Sequence, residues 1–194
     1  MADTADTDWT LLDAWRAGDA GAGNRLAAAH FPAVSRFFRG KLGDDVEDLI
    51  QQTFLALTEG RDRIAGATFR SYLFAVATRR LYDHLRTHYR RRELDVSVTS
   101  LADLATTPTE RIARDQRAQL VQRALRQIPI DAQVALELAY WEGLSGAELA
   151  DALALEPSSA RSRLSRARDQ LREAVRALGG DPEALFGAHQ TSGG

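Results

Sequence analysis

The segment from Leu144 to Leu178 constrains the fold of this 194-residue chain more than any other stretch. Ser145 followed by Glu148 is the pattern of a capping box, and it predicts a short helix that ends near Ala154. Pro157 then stands where the first turn of a second helix tolerates a missing N–H. Apolar residues follow along that second helix at steps of three and four: Ala160, Leu164, Ala167, Leu171, Val175 and Leu178. The segment therefore predicts a short helix, a tight turn and a longer amphipathic helix.

Charge changes sharply within this segment. Residues 131–160 hold six acidic residues and no lysine or arginine, whereas residues 161–178 hold six arginines and two acidic residues. A basic second helix after a tight turn is typical of a helix-turn-helix that reads duplex DNA. The candidate DNA contacts are Arg161, Ser162, Arg163, Ser165 and Arg166. The alternative is that these arginines form an ordinary solvated face.

A second basic segment lies earlier in the chain, and the overall net charge of −2 conceals both. Residues 69–92 carry seven arginines against one aspartate, and they have the period of one long helix. One side of it groups aromatic with basic residues: Tyr72, Arg79, Tyr82, Arg86 and Arg90. Rings that stack on bases beside guanidinium groups that follow phosphates suit single-stranded nucleic acid. The alternative is a surface on which tyrosines pack against arginine stems.

Residues 46–59 form a third informative helix. Val46, Leu49, Ile50, Phe54 and Leu57 are predicted to face inward. The other face groups Asp48, Gln51, Gln52 and Leu55. An apolar side chain among amides and carboxylates can be accidental, or it can mark a face that docks on a partner helix.

The composition and the positions of helix-breaking residues predict an all-α chain of two small helical domains joined by a flexible linker. We expect a disordered N-terminus at 1–8, a first domain at 9–92, a linker at 93–110, a second domain at 111–178 and a disordered tail at 179–194. The absence of cysteine excludes disulfides, and no apolar run has the ~20 residues of a membrane span. With an acidic N-terminus that lacks an apolar signal core, these features favour a cytoplasmic protein.

No catalytic constellation is found, so we expect the protein not to be an enzyme. The four histidines form no plausible metal or nucleophile set, and no glycine-rich phosphate loop follows a strand. We therefore expect no metal and no cofactor.

Taken together, the motifs resemble the extracytoplasmic-function (group IV) sigma factors of bacterial RNA polymerase, in the sigma-70 family. The resemblance covers roughly residues 8–178. Its motifs are Glu47-Asp48-Leu49-Ile50-Gln51, the helix from Phe69, Glu142-Gly143-Leu144-Ser145, and Ser162-Arg163-Leu164-Ser165-Arg166. The sequence departs from the family at Gln52, where Glu is usual, at Tyr72, where Trp is usual, and at Arg79, where Asn is usual.

The resemblance implies a mechanism without covalent chemistry. Asp48, Gln51, Gln52 and Leu55 would bind the clamp helices of the largest polymerase subunit, and the second domain would meet the flap of the second largest. The first basic helix would hold the melted −10 element of promoter DNA, and the second would read the duplex −35 element. Such a protein would work in the bacterial cytoplasm, associated with the nucleoid.

Two other classes remain open: a stand-alone helix-turn-helix transcriptional regulator, and a helical protein–protein adaptor. Co-purification with core polymerase separates the first hypothesis from both. Relatives are often held inactive by an anti-sigma factor. Since no further domain is predicted, we expect control by such a partner rather than within the chain.

Overall fold

The computed structural model describes residues 2–64, 68–89, 94–104 and 116–186. The helices of the first part are α1 (Ala2–Arg16), α2 (Ala20–Leu42), α3 (Glu47–Gly60), a 3₁₀ turn (Arg61–Arg63) and α4 (Phe69–His88). Those of the second part are α5 (Gln116–Leu125), α6 (Ile130–Tyr140), α7 (Gly146–Leu153), α8 (Pro157–Ala177) and α9 (Pro182–Phe186). The described residues contain no β-strand beyond one isolated bridge between Ser100 and Pro129. The all-α, two-domain prediction is confirmed.

The first domain packs α1, α2, α3 and α4 around a dense aromatic core. Asp19 begins α2 by accepting a hydrogen bond from the Ala22 N–H at 3.1 Å, and α2 continues through Pro32. Thr68 and Ser71 form a reciprocal capping box that starts α4. Phe38 and Phe74 are fully buried. These caps fix where α2 and α4 begin.

The second domain contains the predicted helix-turn-helix. Glu148 accepts a hydrogen bond from the Ser145 N–H at 3.2 Å, as the capping box predicted, and Pro157 opens α8. Ala154 makes the turn between α7 and α8 in the left-handed region, with φ of 52°. The apolar stripe of α8 packs inward, since Ala167 and Val175 are fully buried. The turn was therefore predicted correctly.

The segment between the domains is packed rather than free. Leu101 and Leu104 are buried. The Ile130 N–H donates to the Thr99 carbonyl at 3.0 Å, and the Asp131 N–H donates to the Val96 carbonyl at 3.1 Å. Residues 94–104 of the predicted flexible linker at 93–110 therefore hold two leucines in the core; residue 93 and residues 105–110 lie outside the described residues.

Both termini also hold structure where the sequence predicted none. The helix α1 begins at Ala2 and therefore includes most of residues 1–8. Within it, Asp8 is buried and its carboxylate lies 2.9 Å from the His30 ring. After α8, the Gly180 N–H donates to the Val175 carbonyl at 2.9 Å. The short helix α9 then lays Leu185 and Phe186 against the core of the second domain. Within the predicted tail, only residues 187–194 lie outside the described ones.

The two domains are in contact through α4 and α7. Phe74 and Leu81 of α4 belong to the same buried apolar cluster as Leu149 and Leu153 of α7. This arrangement decides which of the predicted site residues face water.

Candidate functional site

The predicted partner-binding face of α3 is present and open. Asp48, Gln51 and Gln52 are exposed, and Leu55 beside them is 54% exposed. The opposite side of the helix, with Leu49, Ile50 and Leu57, is buried. An exposed leucine ringed by hydrogen-bonding groups can give a partner helix both apolar contact and register.

The apolar part of this surface extends to α2, which the sequence reasoning missed. Phe31 is 50% exposed and its ring stacks on that of Phe54, with centroids 6.2 Å apart and planes 18° from parallel. Phe54 is itself only half-buried and adjoins Leu55 in the chain. The sequence did hold one indication of this exposure. Phe31 does not belong to the apolar stripe of α2 that faces the core, so its ring was expected to lie on the surface.

The predicted basic contacts Arg79 and Arg86 both lie on the exposed side of α4. Arg79 is 85% exposed and Arg86 is also exposed; both lie within 4 Å of Asp83, at 3.9 and 3.8 Å. Such solvent-exposed pairs are weak, so both guanidinium groups can be released to a phosphate. Arg90 lies outside the described residues.

The two tyrosines predicted for the same side of α4 face the second domain instead. Tyr72 lines a groove with Ala150, Asp151 and Ser159. Tyr82 packs against the core, and its buried hydroxyl has no hydrogen-bond partner among the described residues. Burial raises the pKa of Tyr82, and the Asp131 carboxylate adds to the effect. Helical spacing placed these rings with Arg79, but it could not show that Tyr72 lies beside α7 or that Tyr82 lies near Asp131 and Arg163.

The DNA-reading face of α8 is largely open. Arg161, Ser162, Ser165 and Arg166 are exposed, opposite the buried apolar stripe. Arg163 differs, since it is half-buried and its guanidinium lies 3.3 Å from Asp131. Burial raises the pKa of Asp131, and Arg163 opposes that rise. Four of the five predicted contacts therefore face solvent, and the fifth is paired.

Ion pairs link the two domains. The two oxygens of Glu142 accept from Arg36 of α2 and Arg70 of α4, each at 3.0 Å. Lys41 is fully buried; it donates to the Phe37 carbonyl at 2.9 Å and to the Glu137 carboxylate of α6. Burial lowers the pKa of Lys41, while Glu137 acts in the opposite direction.

Comparison with known families gives two matches in the order that the motifs predicted. The model described as sigma-70 region 2 matches residues 26–91, and the model described as sigma-70, region 4 matches residues 118–171. Together they cover α3, α4, α7 and most of α8. The chain belongs to the sigma-70 family.

Within that family, its relatives include extracytoplasmic-function factors. The ECF RNA polymerase sigma-E factor of Haemophilus influenzae is 24% identical over 185 residues, which is 89% of this chain and 97% of that protein. The fold is similar to CnrH in complex with the cytosolic domain of CnrY, with a TM-score of 0.63, 24% identity, and coverage of 89% and 99%. It is also similar to the sigma factor RpoE bound to the anti-sigma factor NepR from Bartonella quintana, with a TM-score of 0.60, 23% identity, and coverage of 79% and 96%.

None of the helices in the described parts of the chain is long and apolar enough to cross a bilayer.

Proposed function

We propose that this protein is a group IV sigma factor that binds core RNA polymerase and directs promoter recognition and opening. The observation that carries the proposal is the placement of two basic helices, α4 and α8, in domains that match regions 2 and 4. No covalent step and no cofactor are needed, because binding and strand separation draw on charge, stacking and hydrogen bonds.

Polymerase binding is assigned to α3 and the adjoining part of α2. Asp48, Gln51, Gln52 and Leu55 form the open face that would meet the clamp helices, and Phe31 enlarges its apolar centre. A compact apolar centre inside a polar rim is the usual anatomy of a specific protein interface.

A second polymerase contact is assigned to the end of α6. Tyr140 and Trp141 are both exposed, and the Arg168 guanidinium donates to the Tyr140 hydroxyl at 2.6 Å. Exposed aromatic side chains beside an arginine are enriched in interfaces. We assign this surface to the flap of the second largest subunit.

Promoter DNA is assigned to both basic helices. Arg161, Ser162, Ser165 and Arg166 would enter the major groove of the −35 element, where arginine pairs with guanine and serine with any base edge. On α4, Arg79 and Arg86 would follow the phosphates of the opened −10 strand, and Tyr72 and Tyr82 would stack on its bases once the second domain moves away. Arg90 and Arg163 complete the proposed set.

An anti-sigma factor is a further proposed partner, since the structurally similar sigma factor RpoE was solved in complex with the anti-sigma factor NepR. We place the protein with polymerase and DNA in the cytoplasm of a bacterium.

Run-off transcription with purified core polymerase and a genomic fragment library tests the proposal. We expect discrete transcripts that start downstream of a shared sequence and that require this protein. Core polymerase alone and polymerase with the Asp48→Arg variant are the controls. Specific binding to duplex DNA without any polymerase association would instead favour a stand-alone helix-turn-helix regulator, and association without DNA binding would favour an adaptor.

A further inference from the structure

A cavity lies within the first domain, and α1, α2, α3 and α4 all contribute to its walls. Its volume is about 180 Å³, and the lining includes the aromatic rings of Trp15, Phe54 and Phe69. A space of this size is unusual, because protein interiors leave few voids larger than a water molecule. An engineered apolar cavity of about 150 Å³ in another protein binds benzene. The cavity of the first domain therefore has room for a single aromatic ring.

One wall of the cavity depends on the close approach of Trp15 to Gly23. A Cβ atom at Gly23 would lie 2.6 Å from Trp15 Nε1, so glycine allows the indole ring to lie directly against α2. The Arg61 guanidinium lies 6.0 Å from the centroid of the same ring, within the range of a cation–π attraction. Ala20 and Ala27 line the cavity with side chains too small to fill it. The space thus follows from the small residues of α2 and from a tryptophan held by two neighbouring elements.

The lining residues determine what kind of molecule fits. None of those that the structure describes is charged, so a charged ligand would lose its hydration without gaining an ion pair. Three aromatic walls can supply edge-to-face and offset-stacked contacts to another ring. Asn24 and Thr58 add polar groups on the exposed side of the cavity. The Thr58 hydroxyl donates to the Phe54 carbonyl at 3.0 Å, so its oxygen is left to accept a hydrogen bond.

We propose that this cavity binds a small neutral molecule with one aromatic ring and one O–H or N–H group, of which a phenol is the simplest example. The ring would lie among Trp15, Phe54 and Phe69, and its polar group would donate to the Thr58 oxygen. Phe54 also stacks on Phe31, so a bound molecule would touch a ring that supports the proposed polymerase-binding face. The site itself does not depend on the proposed function, because binding requires only the free chain.

Fluorine NMR on the purified full chain tests the site, with 4-fluorophenol as the probe. We expect saturable binding with a dissociation constant of about 1 mM or lower, which is within reach of a ligand of this size. Because the measurement contains neither polymerase nor DNA, its result is independent of whether the protein acts in transcription. A lack of saturable binding up to about 10 mM probe would overturn the proposal.

The Ala27→Leu variant tests whether the probe binds in this cavity. Ala27 is partly buried and lines the cavity, so a leucine there would occupy part of the space. We expect the affinity for 4-fluorophenol to fall at least about tenfold, because a packed site has no room for both groups. Ala28→Leu is the matched control, since Ala28 is the adjacent exposed residue of α2 and is not among the lining residues. Far-UV circular dichroism verifies that both variants fold, and wild-type affinity in a folded Ala27→Leu protein would overturn the proposal.

The Thr58→Val variant tests the polar contact, and it decides the question even if Ala27→Leu does not fold. Valine keeps the shape of threonine and removes the hydroxyl. We expect the affinity for 4-fluorophenol to fall about threefold to tenfold, the effect of one lost hydrogen bond. Fluorobenzene has no O–H group, so it should bind the wild-type protein and Thr58→Val equally. An unchanged affinity for 4-fluorophenol, or an equal loss for both probes, would contradict the proposed site.

Discussion

The guanidinium of Arg163 lies 3.3 Å from the carboxylate of Asp131, so one predicted DNA contact of α8 is committed to the start of α6. Asp131 is buried, and burial raises its pKa while Arg163 and, more weakly, Arg166 lower it. Asp95 is the acidic neighbour that raises it further. The pair thus has a structural role that can be measured without DNA.

We predict that Arg163→Ala destabilises the protein more at pH 7 than at pH 4. The raised pKa of Asp131 means that the folded protein favours the protonated carboxyl. The contribution of Asp131 to the free energy of unfolding therefore falls as the pH rises above 3.8, the pKa of the unfolded state. Without Arg163, the Asp131 carboxylate is buried with no cation beside it at neutral pH. We expect this to lower the free energy of unfolding by about a further 1–3 kcal/mol. Urea unfolding at both pH values is the measurement. Arg161→Ala, at an exposed position, should show no such pH dependence.

We predict that Asp48→Arg weakens core polymerase binding at least about tenfold, or about 1.4 kcal/mol. Asp48 is exposed on the open face of α3, so helicity and thermal stability should be unchanged. Fluorescence anisotropy with purified core polymerase measures the affinity. Asp62→Arg is the control, with the same charge change on an exposed residue of the 3₁₀ turn. Wild-type affinity in a folded Asp48→Arg protein would remove α3 from the interface.

Phe31→Ala should separate binding from stability. Phe31 is half exposed, so we expect the free energy of unfolding to fall by about 1 kcal/mol or less, mainly because stacking on Phe54 is lost. Polymerase affinity should fall by about 1–2 kcal/mol if the ring lies in the interface. By contrast, Phe38→Ala should cost about 3–5 kcal/mol of stability, because Phe38 is fully buried. Equal effects of Phe31→Ala on stability and binding would count against a contact role.

Arg166→Ala should change −35 recognition. A bidentate arginine–guanine pair contributes about 1–3 kcal/mol of discrimination between bases. If Arg166 contacts a phosphate instead, its removal should weaken binding equally for all sequences. Competition binding with single-base promoter variants distinguishes these outcomes. Arg176→Ala, near the far end of α8, is the matched control. Unchanged affinity and preference in Arg166→Ala would place that residue off the DNA.

Arg79→Ala should spare polymerase binding and hinder promoter opening, because Arg79 is the most accessible predicted contact of α4. Tyr72→Ala should also hinder opening, because the ring would stack on a separated base and contribute about 1–3 kcal/mol. Pre-melted DNA should rescue Tyr72→Ala more fully than Arg79→Ala, since the ring would act while the strands separate. Permanganate reactivity of −10 thymines on duplex and bubble templates measures both effects. Wild-type reactivity in both variants would show that α4 does not touch the opened strand.

Local patterns in the sequence predicted local structure well. The Ser145–Glu148 box, Pro157 and the apolar stripe of α8 each depend on neighbours within a few turns, and the structure contains all three. The open face of α3 was also predicted from helical spacing alone. The environments of Tyr82 and Arg163 were not predicted, because Asp131, which lies near both, is distant from them in the sequence and no periodicity reveals it. Leu101 and Leu104 were missed since two leucines among polar residues give no period.

The shared cluster of Phe74 and Leu149 has a consequence for folding. Where side chains from both domains fill one core, loss of either half removes the packing of the other, so we expect a single cooperative melting transition. A second domain expressed alone would present Leu149 and Leu153 to water and tend to self-associate. Dissection of this chain at its family boundaries would therefore yield fragments whose behaviour differs from that of the whole.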